Sequence, residues 1–103
     1  MIEAYMESLP KEGYTVVKWA AAWCPDCRFL DLFYDKVKAK YQNKITFLDV
    51  DRDQHVEWAR ALRVNGIPSF LAYKDGEEVL RFVSTLRKTQ KEVEGFLDEV
   101  LTK

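Results

Sequence analysis

The stretch KWAAAWCPDCRFL (residues 18–30) holds both cysteines of the chain, Cys24 and Cys27, separated by a proline and an aspartate. A segment rich in β-branched and aromatic residues, Tyr14–Ala21, leads into the pair. Such a nearly continuous apolar run is typical of a strand that is covered on both faces. After the pair, apolar residues recur every three or four positions, which predicts a helix over Pro25–Tyr41. The cysteines are therefore expected where a strand gives way to a helix.

The alternation of strand and helix continues beyond this junction. Lys44–Asp51 predicts a second strand, followed by a helix with Asp53 as its N-cap. This order implies a parallel pair of strands joined by a right-handed crossover. Ser69–Lys74 and Glu78–Val83 predict two further strands, and Asp75-Gly76 between them favours a tight antiparallel hairpin.

Amphipathic helices are predicted at both ends of the chain. The first has apolar residues at positions 2, 5, 6 and 9 and ends at Pro10 and Gly13, and the last has them at positions 93, 96, 97, 100 and 101. No repeat or linker interrupts the 103 residues. We therefore expect one α/β domain over residues 1–103, with a mixed sheet of about four strands and helices on both faces.

Charge and composition exclude several classes of partner. The chain has 16 basic and 17 acidic residues, so it lacks the basic surface of proteins that bind nucleic acid or anionic membranes. No window approaches the roughly 18 consecutive apolar residues of a membrane-spanning helix. The first residues lack the basic and then apolar pattern of a secretory signal. We expect a cytoplasmic protein, in which a structural disulfide is disfavoured.

Three interpretations of the cysteine pair compete, and spacing alone does not choose among them. A structural zinc site needs four ligands, and beyond the pair the chain offers only His55 as a further Cys or His. Two inert core cysteines fit poorly with the polar Asp26 between them. A C-x-x-C motif beside a βαβ pattern favours a redox pair, and that interpretation requires no metal or other cofactor.

The position of the pair explains how it would work. The partial positive charge and free N–H groups of a helix N-terminus stabilise a thiolate, and only the thiolate attacks a disulfide. Cys24 is placed to be that thiolate, and Pro25 suits the first helical position because its missing N–H has no partner there. Cys27 lies on the same side of the first turn, within reach of a mixed disulfide on Cys24.

WCPDC (23–27), NGIPSF (65–70) and YKDGEEV (73–79) together resemble the thioredoxin family, from about Val16 to the end of the chain. The resemblance implies that Cys24 is the nucleophile and Cys27 the resolving thiol. It also implies a cis peptide at Ile67-Pro68 that faces the cysteines, with the Ile67 backbone pairing to an extended substrate. Disulfide-containing substrates and an external electron donor, such as a thioredoxin reductase, are implied as partners.

The chain also departs from the family pattern. The extra N-terminal strand of the family is expected to be absent, and the cysteine helix lacks the usual kink proline. Where the family buries an acid before the cysteines, an ungapped match places Lys18 and a one-residue insertion places Val17. Proton transfer at Cys27 must then use another group or water. Ser84 is the best match for a glycine that flanks the family's substrate groove.

Two charged residues near the pair have competing interpretations. A carboxylate at Asp26 opposes thiolate formation at Cys24 and favours a more reducing pair, so Asp26→Asn should be more oxidising. Alternatively, Asp26 only stabilises the first helical turn, by about 0.3–1 kcal/mol. Lys18 either favours a Cys27 thiolate or is a solvated lysine near a sheet edge, with Asp49 as a possible ion-pair partner.

The aromatic residues near the motif receive separate assignments. Trp23 is expected to shield the pair and line the groove, whereas Trp19 and Trp58 are assigned to packing and His55 to a helix surface. The leading functional interpretation is a thiol-disulfide oxidoreductase. The alternatives are glutaredoxin-like glutathione chemistry, suggested by a proline directly after the first cysteine, and a redox-inactive module that binds peptides around Pro68.

Overall fold

The structure is a computed structural model that describes residues 2–103. The elements in chain order are α1 (Glu3–Ser8), β1 (Tyr14–Ala20), α2 (Pro25–Asp31), α3 (Tyr34–Tyr41), β2 (Ile45–Asp51), α4 (Val56–Ala61), β3 (Ser69–Lys74), β4 (Glu77–Phe82) and α5 (Gln90–Val100). Among the described residues, no helix combines the length and apolar character needed to cross a membrane.

The four strands form one mixed sheet in the order β2-β1-β3-β4. β1 runs parallel to β2 and antiparallel to β3, and β3 and β4 form the predicted hairpin. The turn residues Asp75 and Gly76 have φ angles of 54° and 87°, the left-handed conformation that suits a tight hairpin. The predicted mixed sheet is confirmed, and within residues 2–103 only α1 precedes β1.

β1 is a central strand, which explains its continuous apolar sequence. Val16 packs into a core on one face beneath α2, α3 and α5, together with Leu30 and Val37. Val17 and Trp19 point to the other face and pack with residues of α1 and α4. Each fully buried aliphatic side chain contributes about 1.5–3 kcal/mol, so both faces anchor the strand that leads to Cys24.

The predicted helix over Pro25–Tyr41 is wrong in one respect, because it is two helices. The N–H groups of Leu32 and Phe33 bond to carbonyls three residues back, at 3.2 and 3.1 Å, and Phe33 has φ −134° as the N-cap of α3. These tighter bonds end α2 before α3 begins. The apolar spacing continues through the break, so the pattern could not record it.

The prediction that Asp53 is an N-cap is also wrong. α4 begins at Val56, and His55 occupies the N-cap position without a side-chain hydrogen bond. The carboxylate of Asp53 instead accepts the indole N–H of Trp23 at 2.6 Å. The turn before α4 is held by Asp51, whose Oδ1 accepts the N–H of Asp53 at 2.8 Å.

Candidate active site

The two cysteines lie where β1 ends and α2 begins, as the sequence predicts. Cys24 is the N-cap of α2 in an extended conformation, and Pro25 takes the first helical position. The Sγ atom of Cys24 accepts the backbone N–H of Cys27 at 3.2 Å. Both thiols are free and almost fully buried. An N–H group aimed at Cys24 stabilises negative charge on that sulfur, which is what a nucleophilic thiol requires.

The loop before β3 lies against the pair. The Ile67-Pro68 peptide is cis, in agreement with the resemblance, and the carbonyl oxygen of Ile67 is 3.8 Å from the Sγ atom of Cys24. Ile67 also packs against both cysteines, and Pro68 is buried. The backbone of Ile67 is therefore next to the Sγ atom of Cys24.

The pKa of the Cys27 thiol differs strongly from that of an exposed thiol. Burial raises its pKa to about 12, and its hydrogen bond with Cys24 acts in the same direction. A backbone hydrogen bond from Ala21 and the positive charge of Lys18 both lower the pKa of Cys27. At neutral pH Cys27 is therefore a protonated thiol, and it must lose that proton before it can attack a disulfide.

Asp26 is paired with a residue that the sequence analysis missed. Nε of Arg87 is 3.0 Å from Oδ1 of Asp26, and the Arg87 guanidinium lies 4.3 Å from the centre of the Phe29 ring. Arg87 belongs to the loop between β4 and α5, far from Asp26 in sequence. Only the tertiary fold brings them together, and the carboxylate at Asp26 is partly neutralised as a result.

Lys88 is a second residue that sequence reasoning missed. Its side chain is buried, and its Nζ atom donates to the carbonyls of Ser84 and Leu86 at 3.1 and 2.9 Å. Burial lowers the pKa of Lys88, while the nearby negative charge of Asp26 opposes that shift. A lysine beside the N-cap of a helix gives no local sign of burial, so no sequence signal could have found it.

Trp19 and Trp58 pack in the core as expected, whereas Trp23 is exposed. Trp23, next to Cys24, is 58% exposed and is held by its hydrogen bond to Asp53, so it offers an apolar surface beside the pair. Trp19 is fully buried, and Trp58 packs on Tyr5 with ring centres 5.3 Å apart. His55 stacks on Trp58, with 3.8 Å between the ring centres.

Lys18 is the residue whose two interpretations the structure separates. β1 has a paired strand on each side, so the expectation of a lysine near a sheet edge is wrong. The Lys18 side chain is only 13% exposed, and its Nζ atom lies 3.6 Å from Asp49 and 3.9 Å from Asp31. The expected ion pair with Asp49 is confirmed.

Within residues 2–103, no group of three or more His, Cys, Asp or Glu side chains could hold a metal ion.

Comparisons with known proteins agree with this geometry. The sequence model of the family described as thioredoxin matches residues 2–99. The chain is 35% identical to "Thioredoxin, mitochondrial" of Bos taurus and 34% identical to that of Mus musculus, each over 90 residues that are 87% of this chain and 53% of the relative. The chain thus spans about half the length of the curated relatives it matches.

Solved structures agree on the fold. An oxidised thioredoxin from Plasmodium falciparum superimposes with a TM-score of 0.69 at 21% identity, over 96% of this chain and 88% of that one. A chain from a study of the thiol resolving mechanism in yeast mitochondrial 1-Cys peroxiredoxin gives a TM-score of 0.75 at 19% identity, over 92% and 87%. With the family match over residues 2–99, the conclusion is that this chain belongs to the thioredoxin family.

Proposed function

We propose that this protein is a thiol-disulfide oxidoreductase that reduces disulfides in proteins or small molecules. The observation that carries the proposal is the pair itself, with the Sγ atom of Cys24 held 3.2 Å from the backbone nitrogen of Cys27 at the start of α2. Two thiols in one helical turn can form a disulfide with each other, and the family match supports the same activity.

The reaction is dithiol exchange in two steps. The Cys24 thiolate attacks one sulfur of the substrate disulfide, forming a mixed disulfide and releasing the other substrate sulfur as a thiolate. Cys27 then loses its proton and attacks the Sγ atom of Cys24, which forms the Cys24–Cys27 disulfide and releases the second substrate thiolate. Two electrons pass from the protein to the substrate, and an external dithiol donor restores the pair.

The surrounding residues receive supporting roles in this proposal. Ile67 and Pro68 form the side of the groove next to Cys24, where the Ile67 backbone pairs with an extended substrate segment. Trp23 supplies an exposed apolar surface on the same site. Pro25 fixes the first turn of α2, and Asp26 tunes the reactivity of the pair through its charge.

The partners and the location follow from this chemistry. We infer disulfide-containing substrates and a reductase of the thioredoxin reductase kind as the electron donor. A compartment that keeps thiols reduced, such as the cytoplasm, suits a pair that works as a reductant. The named relatives are mitochondrial proteins, so the cytoplasmic location stays a prediction.

Insulin reduction tests the proposed activity. With dithiothreitol as donor, the wild type should accelerate insulin reduction and Cys24→Ser should not. Cys27→Ser, first reduced and then freed of dithiothreitol, should instead accumulate a mixed disulfide with the substrate, because no second thiol in the site resolves it. Activity that depends on glutathione would favour the glutaredoxin-like alternative, and peptide binding without any reduction would favour the redox-inactive module.

A further inference from the structure

A cavity that opens to solvent is lined by Cys27 but not by Cys24, Ile67 or Pro68. Its volume is about 240 Å³, which is room for several water molecules at roughly 30 Å³ each. Cys27 shares its walls with Lys18, Asp31 and Asp49. The resolving thiol therefore faces a polar space with room for several water molecules, although its own surface is almost entirely buried.

The sheet holds the Lys18 ammonium at this cavity. Lys18 is directly opposite Asp49 in the parallel β1–β2 register, and its Nζ atom contacts the carboxylates of Asp49 and Asp31. The ammonium also lies 4.8 Å from the centre of the Tyr34 ring. β1 is paired on both sides, so the ammonium is held at the cavity by these contacts and does not lie at a sheet edge.

Other charged groups near the cavity are engaged elsewhere. The charged side chains that line it are Lys18 of β1, Arg28 and Asp31 of α2, and Asp49 and Asp51 of β2. Arg28 donates from Nε to the carbonyl of Ala22 at 3.2 Å, and Asp51 accepts backbone N–H groups of its own turn. Around the pair itself lie Asp26 and, from the loop before α5, Lys88, which interacts electrostatically with both cysteines.

Given the proposed function, we propose that Lys18 is a positioning residue for its second step. The ammonium of Lys18 stabilises the Cys27 thiolate across the cavity, and the thiol proton leaves through cavity water to solvent. Asp49 balances the charge of Lys18 and so limits this effect. The strand offers no acid, and Lys18 instead promotes loss of the Cys27 proton by stabilising the thiolate that results.

The step balances without any further reactant. The S–H bond of Cys27 breaks, and its proton passes to cavity water. The resulting thiolate forms a bond to the Sγ atom of Cys24, and the bond between Cys24 and the substrate sulfur breaks. The electron pair of the broken bond leaves with the substrate thiolate, so the Cys pair is oxidised and the substrate is reduced.

A single-turnover reaction with a chromogenic aromatic disulfide isolates this step. Attack by Cys24 releases one equivalent of coloured thiolate, and resolution by Cys27 releases a second in a separate phase. Both phases are followed by stopped flow from mildly acidic to mildly alkaline pH. In the second phase the rate should rise with pH, because only the Cys27 thiolate reacts.

Two substitutions at the cavity should move the second phase in opposite directions. Lys18→Met removes the cation, and a rise of about one in the Cys27 pKa would slow resolution roughly threefold at neutral pH, since the higher pKa also makes the thiolate more nucleophilic. Asp49→Asn frees the Lys18 charge and should speed resolution by a similar factor. Lys18→Arg should stay near the wild-type rate.

Lys38→Met is the matched control. Its Nζ atom lies 5.1 Å from the centre of the same Tyr34 ring and pairs with Asp35, but Lys38 does not line the cavity. Its second phase should match the wild type. In every variant the first phase should be unchanged, because Cys24 does not line the cavity. A merely structural role of Lys18 would not produce opposite effects in Lys18→Met and Asp49→Asn.

The possible failures are distinguishable. Equal second phases in Lys18→Met and Lys38→Met would overturn the role of Lys18, as would a slower second phase in Asp49→Asn. Should Lys18→Met not fold, Asp49→Asn and Lys18→Arg decide the question on their own. The inference requires a faster second phase in Asp49→Asn and an unchanged second phase in Lys18→Arg. A wild type that releases only one equivalent would overturn the proposed function itself, and this inference with it.

Discussion

Arg87 and Asp26 form an ion pair at 3.0 Å beside the cysteines, although they are far apart in the sequence. We expect the carboxylate at Asp26 to disfavour a thiolate in the reduced protein and the guanidinium of Arg87 to offset that effect. Because a stabilised reduced form makes the pair more oxidising, the two charges should tune the reduction potential in opposite directions.

The first prediction concerns these two charges. Asp26→Asn should raise the reduction potential and Arg87→Gln should lower it, as measured by equilibration with glutathione. Both side chains are partly exposed, so the shifts should correspond to about 0.2–1 kcal/mol, or no more than about 20 mV. They should shrink at high salt. Shifts of the same sign in both variants would refute this account of the pair.

The second prediction concerns the close contact between the loop before β3 and the segment that follows β4. A Cβ atom at Gly66 would overlap the carbonyl group of Ser84, so Gly66→Ala should destabilise the protein by about 1–3 kcal/mol in urea unfolding. Gly95→Ala is the matched control, because Gly95 lies within α5 with open space around it. That variant should gain about 0.5–1 kcal/mol. Wild-type stability of Gly66→Ala would show that the loops do not pack as described.

The third prediction concerns alkaline pH. The pKa of Cys27 rises on folding from 9.0 to about 12, so its contribution to stability is complete below pH 9 and is lost as the pH rises toward 12. Burial also raises the pKa of Tyr34, so alkaline pH lowers the stability of the reduced and the oxidised protein alike through this residue. Only the reduced protein carries the Cys27 thiol, so it should lose more stability than the oxidised protein.

Urea unfolding of both forms at a series of pH values checks this expectation. Reduced Cys27→Ser is the control, because it keeps Cys24 and the tyrosines but lacks the buried thiol. It should lose no more stability between pH 9 and 12 than the oxidised wild type does. The explanation fails if reduced and oxidised wild type lose stability in parallel.

The sequence predicted the parts of the fold that local pattern determines. Neighbouring residues alone predict the structure of three segments: the apolar run of β1, the helical spacing after Pro25, and the turn at Asp75 and Gly76. The positions of Cys24 and Cys27 at the strand-to-helix junction followed from those elements. The break at Phe33 did not, because the apolar helical spacing is the same on both sides of the break.

The neighbours of the site were harder to predict, because tertiary contacts decide them. Asp53 has the side chain of an N-cap, but its carboxylate is engaged by Trp23 from another loop. Arg87 and Lys88 lie in a polar segment that resembles an ordinary surface loop. Arg87 nevertheless pairs with Asp26, and Lys88 is buried. Lys18 was recognised as unusual, but only the strand order showed that it is central.

Reversible bonding between the two sulfurs is the central claim, and a redox titration against glutathione tests it most directly. Free thiols are counted at each ratio of reduced to oxidised glutathione. The wild type should lose two thiols together in a single two-electron transition, for which a tenfold change in the equilibrium constant corresponds to about 30 mV, and it should recover both on reduction. Thiols that never pair, or that form only adducts with glutathione on separate cysteines, would contradict the account.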